Sequence, residues 1–290
     1  SSTIELEAAP ADDLSSAQKH NRAEFPWWFV MMIFIAIWAG YIIFTRQNYR
    51  EAFEFIIRGI QVTVATSLVA YAFALVLGLL AGLGRIAHNV MVNNLARLYV
   101  ELVRGIPMLV LIFFIALVGV PTVVDALNAL GTWLNTLGLN FIGDTLLRIE
   151  NQAIPMNVRA IIALAVTYGA FLAETFRAGI QSIGRGQMEA ARSLGMSYRQ
   201  AMRHVILPQA IRNVLPTLGN DFVAMVKDSS LVSVLAVRDI TQVARLYAGR
   251  SFRFRESYVT LSVLYLTMTV ALSLGVQALE KRLRKNEASS

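Results

Sequence analysis

Charged and amide side chains set inside apolar runs are where this sequence could do chemistry. Glu174 and Arg177 stand three residues apart, a spacing at which two side chains share a helix face and can pair. Glu101 and Arg104 repeat that spacing upstream. Asn220 and Asp221 follow Pro216, and a proline inside a helix frees a backbone carbonyl. In an apolar setting such a group is tolerated only where protein or a water-lined cavity satisfies it. An ionisable residue in a membrane span is a functional-site candidate by default, against the plainer reading of a structural pair near the membrane edge. Other reactive constellations are missing. The chain has no cysteine, which excludes disulfides, thiolate metal sites and a cysteine nucleophile. His20, His88 and His204 lie far apart, and neither H-E-x-x-H nor G-x-S-x-G occurs. No G-x-x-x-x-G-K-[ST] is present and no lysine follows a glycine, so the chain cannot cradle a nucleotide in a P-loop.

The elements that must position these residues are membrane helices. Of the 290 residues 56% are hydrophobic and 16% charged, against about 45–50% and about 25% in an average soluble domain. Mean hydropathy is +0.55. The net charge of +7 therefore points to membrane flanks and not to nucleic acid. Residues 1–26 are polar and rich in Ala, Ser and Asp, and are expected to be a disordered tail. Residues 27–44 carry no charge, with paired tryptophans at one end and Tyr41 near the other, as a span with interfacial aromatics requires. A second span covers 60–83, with Ala70, Ala74, Gly78 and Gly82 recurring every four residues. That stripe either lets another helix approach closely or simply reflects the commonness of small residues in membrane helices.

Further spans are expected at 99–120, 158–176, 205–226 and 258–279, for six in all. Between the third and fourth, residues 121–157 break into pieces such as VVDALNALGTWLNTLG, which read as an external insertion of short amphipathic helices lying at the membrane surface. Even parity places both termini on one side, and the basic stretches at 177–203 and 281–285 make that side cytoplasmic. The external segment between the last two spans defies this rule with Lys227, Arg238, Arg245, Arg250, Arg253 and Arg255. Either part of it dips back into the protein or these arginines meet an acidic partner.

The stretch from Gly184 to Pro216 carries the most information. Gln187 to Leu194 are good helix formers, and Gly195 stands where a left-handed C-cap is expected. Ser197 with Gln200 forms a capping-box pattern that starts a second helix running to Pro208. Glu189 sits near the first helix's N-terminus, where a carboxylate is favoured. Two short helices meeting at a fixed turn suit docking on a soluble partner, or resting on lipid headgroups.

This stretch resembles the EAA loop of permease subunits of ABC importers, whose pattern is EAA, three residues, Gly, nine residues, then I-x-L-P. Here stand Glu189-Ala190-Ala191, Gly195 at the required spacing, and Val205-Ile206-Leu207-Pro208, with Val205 replacing Ile. Arg104-Gly105-Ile106-Pro107 is similar to the R-G-T-P of the polar amino-acid uptake branch, and Tyr168 to Ile183 is similar to its A-Y-x-A-E-x-x-R-G-G-I-x-S-I. Gly169-Ala170-Phe171 and Ala178 depart from the latter pattern. The resemblance covers roughly residues 58–281 and leaves the tail, the first span and the 121–157 insertion as decoration.

The resemblance implies an all-α, polytopic permease of the type I importer fold, with its transmembrane domain at 58–285 and its coupling loop at 186–208. It implies a pair of ATPase subunits, a second permease chain, identical or homologous, and an extracytoplasmic binding protein delivering a polar amino acid. The setting is the inner membrane and its lipid. No cofactor is expected in this chain, since ATP and Mg would sit on the ATPase, and the chain itself would be non-catalytic. Gln187, Glu189, Ala190, Ala191, Leu194 and Gly195 would form the coupling surface, and Glu174, Arg177, Asn220 and Asp221 the substrate pathway, since a zwitterion's route needs both signs. A secondary carrier would need inverted repeats and coupling-ion sites, and a channel a selectivity element; none is evident in the sequence.

Overall fold

A computed structural model describes residues 27–287, so the expectation for residues 1–26 lies outside the described residues. Helices and their connecting turns account for all regular structure among the described residues. Helix α1 (Trp27–Thr45) is apolar all round and exposes Phe34, Ile37, Trp38 and Phe44. A helix of that character faces lipid. Arg46 adopts an extended conformation and ends it. Helix α2 (Gln47–Ile56) is amphipathic, and a turn at Ile57–Gly59 leads into α3 (Ile60–Arg85). Asn89 caps α4 (Val90–Gly105), its Oδ1 accepting from the backbone nitrogens of Met91 at 2.9 Å and Val92 at 3.2 Å.

The next span differs from the 99–120 expected. Ile106 and Pro107 are extended, because proline disfavours helix in the residue before it. Tyr99 to Gly105 therefore belong to α4, and the crossing segment starts at α5 (Met108–Phe114). It continues through a π-helical turn at Ile115–Gly119 into α6 (Val120–Thr136). Residues 121–136 thus extend a membrane-length helix, Met108–Thr136, and do not lie apart as surface helices. Pro121 lies within that continuous helix, where it has no N–H to offer a preceding carbonyl, and the π-helical turn at Ile115–Gly119 stands immediately before it. Helix α7 (Asn140–Leu147) folds back on α6.

The π turn is met by a residue that sequence reasoning passed over. Arg159, only 8% exposed, donates from Nη1 to the Ala116 carbonyl at 3.1 Å. Its Nε donates to the Ile154 carbonyl at 3.1 Å, and its Nη2 to Asn151 O and Oδ1, each at 2.6 Å. Four neutral oxygens thus solvate one buried cation and tie the start of α8 (Met156–Gln181) to the irregular part of the preceding span.

Helix α8 is the centre of the molecule. Ala160, Ala163, Leu164, Leu172 and Ala173 are fully buried within it. Ala70, Ala74, Gly78 and Gly82 of α3 are all buried, and the stripe faces α8. A Cβ on Gly78 would lie 2.6 Å from the Leu172 Cβ, and one on Gly82 would lie 2.9 Å from the Ala173 carbonyl. The small residues let the two helix backbones approach, which is how membrane helices associate without a water-driven force.

Helices α9 (Arg185–Ser193) and α10 (Tyr198–Ala201) lead through a second π-helical turn, Met202–Ile206, into α11 (Leu207–Asp228). Pro208 does not end the helix begun at Tyr198; it falls in the first turn of α11, and Pro216 lies inside that helix. After α11 the basic segment dips into the protein, the first of the two expected alternatives. Ser229, Val232, Ser233, Leu235, Asp239 and Ile240 are buried there, ahead of α12 (Ile240–Ser251) and α13 (Phe254–Glu287). Arg253 is spent within the chain, its Nη1 donating to Glu51 Oε2 at 2.5 Å.

Among the described residues four helices are long and apolar enough to cross a membrane: Gln47–Arg85, Met108–Thr136, Met156–Gln181 and Phe254–Ala278. The described apolar part of α1, Phe34–Thr45, is shorter. Helix α11 carries Arg212, Asn213, Asn220, Asp221, Lys227 and Asp228; it packs against α8, α3 and α13, which leave Asp221 and Asp228 half-buried and the other four exposed.

Candidate functional site

The elbow is built by local chemistry. Helix α9 ends at Ser193, and Gly195 follows with φ +83°, a conformation glycine adopts without steric cost. The Met196 nitrogen donates to the Ala191 carbonyl at 3.2 Å and the Gly195 nitrogen to the Arg192 carbonyl at 3.0 Å, the paired bonds of a Schellman cap. Two residues later Ser197 Oγ accepts from the Gln200 nitrogen at 3.3 Å, while Gln200 Oε1 accepts from the Ser197 nitrogen at 2.9 Å. Both ends of the turn are thereby fixed.

One side of the elbow is glued to the body. Ala191 is buried, and Met188 packs with Ile183 and Val205 against Ile180, Ile206 and Ala210. Gln187 reaches α11, its Oε1 accepting from Gln209 Nε2 at 3.4 Å. Glu189, Ala190 and Gly195 point away from the chain, and Leu194 is 82% exposed. The two adjacent alanines have opposite duties: Ala191 seats the elbow and Ala190 lies on its outer face. The outer face of the elbow thus exposes a leucine, a small residue and a carboxylate.

Behind the elbow, Glu174 and Arg177 do pair, through Glu174 Oε1 and Arg177 Nη2. Arg85 at the end of α3 also reaches Glu174, at 2.5 Å, and Glu101 of α4 at 3.8 Å. The upstream echo of the sequence thus has a spatial meaning, because Glu101 and Glu174 converge on one arginine. Arg104 lies 5.8 Å above the Phe171 ring of α8, within cation–π range. This ionic knot ties α3, α4 and α8 together, and it commits Glu174 to cations of the chain itself.

Asp221 is placed otherwise. Its Oδ2 accepts from Thr175 Oγ1 at 3.3 Å, and Asp228 Oδ2 accepts from Tyr168 Oη at 2.7 Å. Thr175 and Tyr168 are seven apart on α8, and Asp221 and Asp228 seven apart on α11, so two antiparallel helices repeat one hydroxyl–carboxylate contact after two turns. Neither aspartate joins an ion pair among the described residues. Tyr71 of α3 closes the same flank, donating to the Leu218 carbonyl at 2.5 Å with its ring 5.1 Å from Phe222. Asn220 is exposed and is not drawn into this set. Sequence reasoning missed Tyr168, Thr175 and Asp228; the matched seven-residue spacing was the available signal.

A bundle of membrane-length helices around a polar seam, with a capped elbow that exposes apolar and acidic groups, defines a multi-pass membrane protein. Residues 74–285 match the model of the binding-protein-dependent transport system inner membrane component family. The chain is 39% identical to a probable glutamine ABC transporter permease of Bacillus subtilis, over 81% of this chain and 96% of that one. It is 32% identical to the glutamine transport system permease of Escherichia coli, over 80% and 94% of the two chains. Among solved structures an amino acid ABC transporter superposes with a TM-score of 0.63 at 33% identity, covering 79% of this chain and 94% of the other. The chain belongs to that family: it is the permease subunit of an ABC importer, a multi-pass membrane protein of the type I importer fold.

Proposed function

We propose that this chain moves a polar amino acid inward by alternating access, driven by an ATPase pair that grips the elbow and fed by an extracytoplasmic binding protein. The supporting observation is the elbow itself, with Glu189, Ala190, Leu194 and Gly195 outward on a turn capped at both ends and bonded to α11 through Gln187. A rigid lever joined to the helix that carries the polar seam converts motion of a partner into motion along that seam. The relatives named for glutamine support a polar amino acid as cargo. ATP and Mg belong to the ATPase in this reading, a second permease completes the pathway, and both termini lie in the cytoplasm. Of the pathway candidates that residue type and spacing single out, Asp221, joined by Asp228, is the one free to meet a substrate ammonium, and Glu174 with Arg177 holds the helices in register.

The chain extracted from its own membrane in mild detergent should carry a stoichiometric ATPase, identifiable by mass spectrometry. Vesicles holding that complex and its binding protein should accumulate glutamine or another polar amino acid on adding ATP. A stable preparation without an ATPase would overturn the coupling assignment, and ATP-dependent uptake confined to apolar solutes would overturn the cargo.

A further inference from the structure

We propose that the chain holds one phospholipid of single negative charge in a cleft between α1, the first turn of α2 and the first turns of α13. The cleft has a volume of about 930 Å³, within the roughly 300–1,000 Å³ usual for small-molecule sites. Arg46 and Arg255 both line it. Neither takes part in an ion pair among the described residues, whereas Arg50 and Arg253 nearby are bound to Glu54 and Glu51. Two free guanidiniums on one cleft suit a phosphate, whose oxygens accept their paired N–H groups.

Glu256 is also in the wall, so its ionised side chains sum to a single positive charge. A headgroup with one negative charge balances that sum; a zwitterionic one leaves it uncompensated and a doubly charged one exceeds it. Depth and shape agree. Arg46 terminates the apolar helix α1 and Arg255 opens the apolar helix α13, so both lie where hydrocarbon gives way to headgroups. Trp38, Tyr41 and Tyr49 line the cleft at that level, the residues that favour this boundary. Ala39, Ile42 and Val259 supply an apolar wall for an acyl chain, which a free phosphate would leave unused.

Helix α1 has little other anchorage. Among its described side chains only Ala39 and Ile43 are buried. A lipid lodged between α1 and α13 would fasten this helix to the bundle, and both walls formed by α1 and α2 lie outside the matched region 74–285.

The test uses the intact transporter complex, purified in mild detergent and reconstituted in nanodiscs of mixed phosphatidylglycerol, phosphatidylethanolamine and phosphatidylcholine, followed by native mass spectrometry. One phosphatidylglycerol should remain on each permease chain under conditions that strip the other two lipids. Arg46→Gln with Arg255→Gln should weaken retention about tenfold or more, since two charge-assisted contacts are lost. Glu256→Gln should shift preference toward a doubly charged lipid. Equal retention of phosphatidylcholine, unchanged retention in the double variant, or displacement by millimolar inorganic phosphate or an acidic peptide would each overturn the assignment. If the double variant fails to insert, the three-lipid competition on the unaltered chain decides alone.

Discussion

Replacing Gly195 by Asp separates what the elbow needs for folding from what it needs for contact. A Cβ at this position meets nothing within 4 Å, so the chain offers no clash. The remaining cost is backbone strain at φ +83°, about 1–2 kcal/mol for an ordinary residue and less for Asp or Asn, which tolerate the left-handed region. About 1 kcal/mol lowers the melting temperature of a chain this size by roughly 2–4 °C. Insertion and fold should therefore survive. The outer face, however, gains a polar side chain where the proposed ATPase contact would form, and excluding a close-packed contact there is expected to cost transport about tenfold or more. The assay is ATP-driven uptake in vesicles at matched protein level, beside a melting curve for each variant. Gly195→Asn should behave like Asp, and Gly195→Ala, smaller but more strained, should melt lower while transporting better. Parent-level uptake by Gly195→Asp would refute the contact role; a melting temperature lowered by about 10 °C or more, far beyond the strain cost, would show that the position serves the fold.

Gly78→Val should cost about 1–3 kcal/mol by overpacking, because its Cβ would stand 2.6 Å from that of Leu172. Gly40→Val, where nothing lies within 4 Å, should leave the melting temperature within about 1–2 °C of the parent, and equal effects would dismiss the seam. Glu174→Gln removes the nearer carboxylate from Arg85, whose side chain is 12% exposed and which keeps only Glu101 at 3.8 Å, and should cost about 1–3 kcal/mol, less than a fully buried pair because Glu174 itself is partly solvated; no change in stability would show the knot to be incidental. Asp239 caps α12 through Oδ1, which accepts from the Gln242 nitrogen at 2.9 Å, and burial pushes its carboxyl up to about 6. The native state therefore binds this proton more tightly than the unfolded chain, whose carboxyl titrates near about 3.9. Stability from this group should rise as pH falls from about 7 to about 4, by roughly 2–3 kcal/mol. Asp239→Asn keeps the cap and should flatten that window of the melting-temperature profile; an unaltered profile would refute the burial effect.

The elbow was legible because every feature that makes it is local. A glycine after a run of helix formers, a serine three before a glutamine and the spacing to Val205-Ile206-Leu207-Pro208 specify hydrogen bonds spanning a few residues, so neighbours in sequence decide the geometry. The apolar runs were legible for a similar reason, since a helix that crosses a bilayer must satisfy its own backbone. Their limits were not. Pro107 moved a boundary by nine residues, from 99 to 108, because the residues before it pack as a separate helix against α3 and α8. Pro208 and Pro216 ended no helix, the first following directly on a π-helical turn and the second lying partly buried inside α11.

Pairing across the bundle was beyond the sequence. Nothing near Arg85 announces that it gathers Glu101 and Glu174, and Arg159 reads as an ordinary residue at a span's edge until the π turn offers it the Ala116 carbonyl. Asp221 could be singled out by type, yet its partner Thr175 and the parallel contact of Tyr168 with Asp228 depend on the register of two helices more than forty residues apart. Composition and spacing fix which helices form and where a cap must sit, because those are short-range energies. Which faces meet is set by close packing of small residues and by the need to satisfy every buried charge, and those conditions are met only once all the helices are in place.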